Sequence, residues 1–195
     1  MQVYKFGGAS IKDAAGIKNV RKVLETTGFQ DKLLVVSAIG KTTNALESII
    51  SSYFAKDDQL EMKMRELYDH HLEIITALFP ERTHPVHEKV NYYFKELRIF
   101  FERNKSPNYD FVYDQVVCFG ELMSTTIVSL YLNEHGIDNT WMDVREMIAT
   151  DATYRDAQVD WQRTKEQIKS SVKPHQLYIT QGFIASDANN FTTTL

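Results

Sequence analysis

The sequence predicts an α/β fold on a mainly parallel sheet, with a block of helices between sheet elements. Apolar runs at 2–6 and 32–39 each lead through a loop into a helix-like segment, an alternation that suits parallel strands. From Asn44 to Arg103 three helical patterns then follow one another without a strand. Strand-like runs return at Thr140 to Val144 and at Leu177-Tyr178-Ile179.

Taken in order, Val3-Tyr4-Lys5-Phe6 reads as a buried strand ending in Gly7-Gly8, and a helix-compatible segment spans about 13–25. The second strand covers 32–39. Helical patterns occupy about 44–55, 58–79 and 86–103, with Leu60, Met64, Leu67, His71, Ile74, Ile75 and Leu78 at helical spacing. Pro80 ends one of these helices and His84-Pro85 opens the next. A long helix over 110–134 closes at Gly136, with Gly120-Glu121 interrupting it. The block, about 44–135 with this helix, reads as an insertion rather than a separate domain. Thr140 to Val144 reads as a strand, 159–172 as an amphipathic helix, and 176–185 as a strand running into a loop. The chain stops on the β-prone Phe191-Thr192-Thr193-Thr194-Leu195, which reads as a truncation.

Composition narrows the function. With 195 residues, 43% of them hydrophobic, the chain can bury one compact core. A net charge of -4 and a pI near 5.9 lack the basic excess of a nucleic-acid binder. The apolar runs look too short for a membrane span, and the N-terminus reads as a strand rather than a signal peptide. The single cysteine, Cys118, excludes an internal disulfide, fits a reducing cytoplasm and reads as a buried, inert thiol.

Ligands of parallel α/β sheets bind beyond the carboxyl ends of the strands. Three loops are placed for that: Gly7-Gly8-Ala9-Ser10, Ser37 to Asn44, and Gln181-Gly182-Phe183-Ile184. Glycines allow close backbone approach and a helix start attracts anions, with the Lys5 ammonium beside them. The same turn also serves as a plain tight connection. Glu121 beside Gly120 either points into a cleft or is an ordinary helix glutamate. Lys41 either touches phosphate or caps a loop.

Lys5-Phe6-Gly7-Gly8-Ala9-Ser10 resembles the N-terminal signature of aspartate kinases. Val35-Val36-Ser37-Ala38-Ile39-Gly40-Lys41-Thr42-Thr43-Asn44, Phe119-Gly120-Glu121-Leu122-Met123-Ser124, Asp143-Val144-Arg145 and Ile179 to Ile184 resemble that family's further motifs, in order. Thr192-Thr193-Thr194-Leu195 resembles the start of a glycine-rich motif of which the rest is not in this chain. The resemblance covers all 195 residues. It implies the amino-acid-kinase α/β/α sandwich, with the chain as the amino-acid-binding part. The nucleotide lobe and the regulatory domains, and in some members a homoserine dehydrogenase, would follow. It also implies transfer of the γ-phosphoryl group of ATP to the β-carboxylate of L-aspartate, opening lysine and threonine biosynthesis. The parent would be a cytoplasmic homo-oligomer and the isolated fragment inactive.

By that resemblance Lys5 stabilises the transferred phosphoryl group, with Gly7, Gly8 and Ser10 around the phosphates and Mg²⁺ offsetting charge. Glu121 meets the aspartate α-ammonium, while Ser37, Thr43, Asn44 and Arg145 hold the carboxylates. Some members carry an arginine before the threonines where this chain has Phe191, which leaves Arg145 or Arg155, or backbone donors, for that contact. Aspartate is already ionised at neutral pH, with a side-chain pKa of about 3.9, so no general base is needed. Two other readings are a kinase of the same fold acting on glutamate, carbamate or a nucleotide, and a binding module without catalysis.

Other residues read more plainly. His70, His71, His84 and His87 lack converging partners for a metal and read as surface or partly buried helix residues. Tyr92, Tyr93, Phe94, Phe100 and Phe101 read as helix packing. Lys63, Arg65, Lys89, Lys95 and Arg98, interleaved with acids, read as a solvated face.

Overall fold

The computed structural model describes residues 1–195. Four parallel strands form one sheet: β1 (Gln2–Phe6), β2 (Lys32–Val36), β3 (Thr140–Trp141) and β4 (Leu177–Thr180), in the order β1-β2-β4-β3. Between β1 and β2 lies α1 (Ala14–Thr27), capped by Asp13, whose carboxylate accepts from Gly16 N–H at 2.8 Å, and closed by Gly28 at φ +72°. Four helices separate β2 from β3: α2 (Thr42–Ala55), α3 (Leu60–Leu78), α4 (Pro85–Arg103) and α5 (Tyr109–Glu134). Pro85 at the first position of α4 and Asn108, which caps α5 by accepting from Asp110 and Phe111, fix two of these starts. After β3 come α6 (Trp161–Ser171), β4, and a hairpin of β5 (Ile184–Ser186) with β6 (Thr192–Thr194). The fold is thus α/β with a parallel sheet, as expected.

Leu34, Val36, Leu177 and Ile179 share one face of the sheet and join Ile17, Leu46, Ile49, Val117 and Ile127 of the helices in the main core. The other face is thinly covered. Lys173, just past α6, donates its N–H to the Tyr178 hydroxyl at 2.8 Å there, while Val3 on β1 is 62% exposed.

Several expectations are corrected. The second strand ends at Val36 rather than 39, because Gly40 at φ +53° turns the chain toward α2. The strand at 140–144 is only two residues long, since the Asp143 carboxylate accepts Arg145 N–H and starts a 3-10 turn at Val144–Glu146. Gly120 does not interrupt α5, which runs unbroken through it. Nor are all helical segments too short for a membrane: α5 is long and apolar enough to cross one. Most of it is buried among the other elements, so its apolarity on all sides is that of a central core helix. The C-terminal segment is a paired strand. On its outer edge Gln115 donates to Thr192 O (2.7 Å) and accepts from Thr192 N–H (3.1 Å), and Ala157 N–H reaches Thr194 O.

His71 is fully buried rather than at the surface or partly buried. Its Nδ1 meets Leu67 O at 2.9 Å, and its Nε2 has no partner. Burial pulls the ring down to about 4 from an ordinary 6.5. Because the unfolded chain binds this proton first, stability is intact above about pH 6.5 and declines as pH falls toward 4. The loss is about 3 kcal/mol. The urea midpoint of the wild type should therefore fall relative to that of His71→Leu as pH goes from 7 to 4; parallel curves would refute it.

Candidate functional site

Parallel pairing puts the carboxyl ends of β1, β2 and β4 side by side, so the loops after them meet at one edge. The loop after β1 docks on the loop after β2: Gly40 N–H donates to Gly8 O at 3.1 Å. A Cβ on Gly8 would come within 2.8 Å of both Ala38 O and Gly40 O, so Gly8 is required by this contact between loops. Gly7 differs. Its φ is -76° and a Cβ there would meet nothing within 4 Å, so neither strain nor crowding in the chain demands a glycine, and the space beside it is open to another molecule.

Gly120 lets α5 nest against the second loop, since a Cβ there would press on Ala38 and Thr42 at 3.1 Å. That approach brings Glu121 to the meeting point. Glu121 is 4% exposed as a residue, and its Oε2 accepts from Gly182 N–H (2.8 Å) and Phe183 N–H (2.9 Å). Burial pushes its pKa up, opposed by the N–H groups of Phe183 and Gly182, by the Lys5 charge and by Ala38 N–H. Glu121 is therefore no ordinary helix glutamate: one buried carboxylate touches the third loop and lies within electrostatic reach of Lys5 and Ala38. Lys5 itself is exposed on β1, in register with Val35 and, through it, Thr180, whose buried Oγ1 has no partner.

The remaining sequence-nominated residues are distributed around this point. Ser37 follows β2 and gives its N–H to Phe6 O at 3.0 Å; Thr43 and Asn44 lie in the first turn of α2. Ser10 is exposed in the 3-10 turn after Gly8. Lys41 immediately precedes α2 and makes no capping bond. Arg145 is not brought to Glu121. Its guanidinium takes Asp143 in three bonds of 2.6–3.2 Å and also donates to Thr192 Oγ1, in a separate cleft with Cys118, Phe119 and Phe111. Cys118 is buried there with its thiol pushed up to about 11. No group of three His, Cys, Asp or Glu side chains is placed to hold a metal ion.

Asp114, which sequence reasoning missed, and Gln181, named only as part of the third loop, organise the site's rim. Asp114, completely buried on α5, accepts from Thr194 N–H (2.9 Å), Thr194 Oγ1 (2.8 Å) and Arg155 N–H (3.0 Å). A carboxylate among Val112, Val116 and Val117 was the available signal. Gln181, through Val144 N–H and Thr125 Oγ1, both at 2.8 Å, ties the end of β4 to the 3-10 turn and to α5.

A model of the amino acid kinase family matches residues 1–194. The chain is 26% identical over 202 residues to the chloroplastic bifunctional aspartokinase/homoserine dehydrogenase 2 of Zea mays, covering 99% of this chain and 22% of that protein. To the lysine-sensitive aspartokinase 3 of Escherichia coli it is 28% identical over 199 residues, covering 99% and 42%. The chain thus spans less than half the length of these relatives. The crystal structure of E. coli aspartokinase III in complex with aspartate and ADP superposes with a TM-score of 0.87 at 25% identity, over all of this chain and 43% of that one.

Proposed function

This chain belongs to the amino acid kinase family, and we propose that the site at Glu121 and Lys5 binds L-aspartate for phosphorylation by ATP. The observation that carries the reading is the buried Glu121 carboxylate, set where three loops meet and within electrostatic reach of Lys5. A buried anion facing an open site is suited to an ammonium group. The likeness to a structure holding aspartate and ADP supports the same assignment.

In the proposed reaction a β-carboxylate oxygen of aspartate attacks the γ-phosphorus, the bond to the β,γ-bridging oxygen breaks, and ADP leaves with that electron pair. An acyl phosphate is the product. The nucleophile is ionised already, so the chain's task is to place two anions together and offset their repulsion. Lys5 supplies a mobile point charge for the phosphoryl oxygens. The open space beside Gly7 gives the phosphates room against backbone. Glu121 fixes the substrate's ammonium end, with Ser37, Thr43 and Asn44 along the wall. The residues around Lys5 do not fit a Mg²⁺ site of their own, because Glu121 is the one carboxylate there and no group of three metal-ligating side chains gathers around it.

The full-length protein should form hydroxylamine-trapped aspartyl phosphate from aspartate and ATP, and not the glutamate equivalent. Equal rates with both acids, or none with aspartate, would overturn the assignment. A pH dependence follows as well. Glu121 takes up its proton at a higher pH than an ordinary glutamate, and once neutral it cannot hold the ammonium. Aspartate KM should rise on acidification before the substrate's own carboxylate titrates. Glu121→Gln should show a high KM that no longer changes over that range.

A further inference from the structure

We infer that the cleft around Arg145 is a second ligand site, one for a small carboxylate that carries an apolar body such as a single aromatic ring. The inference is independent of the aspartate reading above. The cleft has a volume of about 590 Å³, within the range that holds small organic ligands. It opens between the second half of α4, the loop after it and the first half of α5. Thr192 and Cys118, both buried, form its floor, and Arg145 lies beside them.

The walls supply apolar surface. Ile99 and Phe100 come from α4, Phe111 and Phe119 from α5, and all four are only half-buried. Large apolar side chains left wet one by one need no explanation, but four lining one concave space form a patch that a ligand can cover. The space suits one ring or a short branched chain, because the walls are side chains of helices that are themselves packed on the core.

The headgroup follows from what the polar side chains still have to offer. Gln115 is spent on Thr192, and the Cys118 thiol on Gln115 O at 3.2 Å. Asn104 is held by Tyr53 and Ser106. Arg145 keeps donors in reserve. Asp143 takes its Nε–H and one N–H of Nη2, and Thr192 Oγ1 takes one N–H of Nη1, so one N–H is left on each terminal nitrogen. The side chain is 30% exposed, which leaves the guanidinium open to the cleft. Arg103 and Lys105 stand exposed at the mouth. Against these three cations are Glu96 and the Asp143 already bound to Arg145, so one positive charge is left over in a chain of net charge -4. A monoanion cancels it, whereas a phosphate dianion overshoots. A carboxylate also matches the planar pair of donors that a guanidinium presents.

Calorimetric titration of 3-phenylpropionate into the full-length protein tests the assignment. A Kd of about 1 mM or tighter is expected for a ligand of this size. The neutral analogue 3-phenylpropanol should bind at least about tenfold more weakly, the size of a lost charge-assisted bond. Saturating L-aspartate should leave the affinity for 3-phenylpropionate unchanged, which separates this cleft from the site at Glu121. Ile99→Glu puts a carboxylate on the wall at a half-buried helix position, so the thermal midpoint should hold while 3-phenylpropionate binding weakens at least about tenfold. Arg145→Lys keeps the charge and loses the planar donors, and it should weaken binding several-fold; it decides the matter if Ile99→Glu proves unstable. No binding up to about 10 mM, equal affinity for the alcohol, displacement by aspartate, or unchanged affinity in a folded variant would each overturn the assignment.

Discussion

Lys5→Ala in the full-length protein is expected to lower aspartate-dependent phosphoryl transfer by about 10²–10³-fold while leaving the fold intact. The magnitude is that of removing one preorganised charge from a developing phosphoryl transition state. The fold survives because Lys5 is exposed on β1 and its backbone pairs with β2 whatever its side chain. The loss should fall on kcat more than on aspartate KM, since Glu121, not Lys5, is assigned to the ground-state ammonium. Lys5→Arg should restore little, because the guanidinium is a longer, planar donor in place of a compact one. Steady-state hydroxamate formation measures both parameters. A rate for Lys5→Ala within tenfold of the wild type would mean that the phosphoryl group is not handled at this end of the sheet.

Asp114→Ala is expected to cost about 3–5 kcal/mol of stability, the range for stripping a buried charge from its hydrogen-bonded partners. Three donors lose their acceptor at once: Thr194 N–H, Thr194 Oγ1 and Arg155 N–H. Burial raises the Asp114 pKa, yet all three neighbours donate to it, so the ionised form is the one that satisfies them. Asp114→Asn should lie between, because an amide NH₂ turned toward the donors repels them. Urea unfolding should show the loss as a lower midpoint. A cost below about 1 kcal/mol would mean that these bonds add little beyond what water offers the open loop.

Much of this was legible in the sequence because it depends on local chemistry. Val3 to Phe6 and 32–39 read as strands from apolar β-prone runs, the second overrun by three residues, and Pro85 marked a helix start through its fixed φ. The Gly-Glu pair pointed to Glu121, although the reason was misread: Gly120 does not break the helix but lets it press against Ala38. What the sequence hid depends on distant partners. The hairpin strands have three residues each, too few for a period to register, and they are held by Asp114 and Gln115 from some 80 residues away. His71 fits a helical stripe, but its complete burial follows from α4 packing over it through Phe94. Arg145 and Arg155 were equivalent candidates in sequence, and only the geometry shows one tied to Asp143 and the other stacked on Tyr113 between Glu47 and Asp110.

The outer edge of β6 has a consequence for self-association. Two-stranded ribbons ordinarily present a row of unpaired peptide groups that can template a neighbouring chain. Here the Gln115 side-chain amide imitates a single peptide unit of a third strand, offering Thr192 both a donor and an acceptor. Asp114 and Ala157 take the outward N–H and C=O of Thr194. The outer edge of β6 is thereby closed to strand addition by side chains and one loop. The threonine-rich strand β6 is kept from acting as a seed for its own copies.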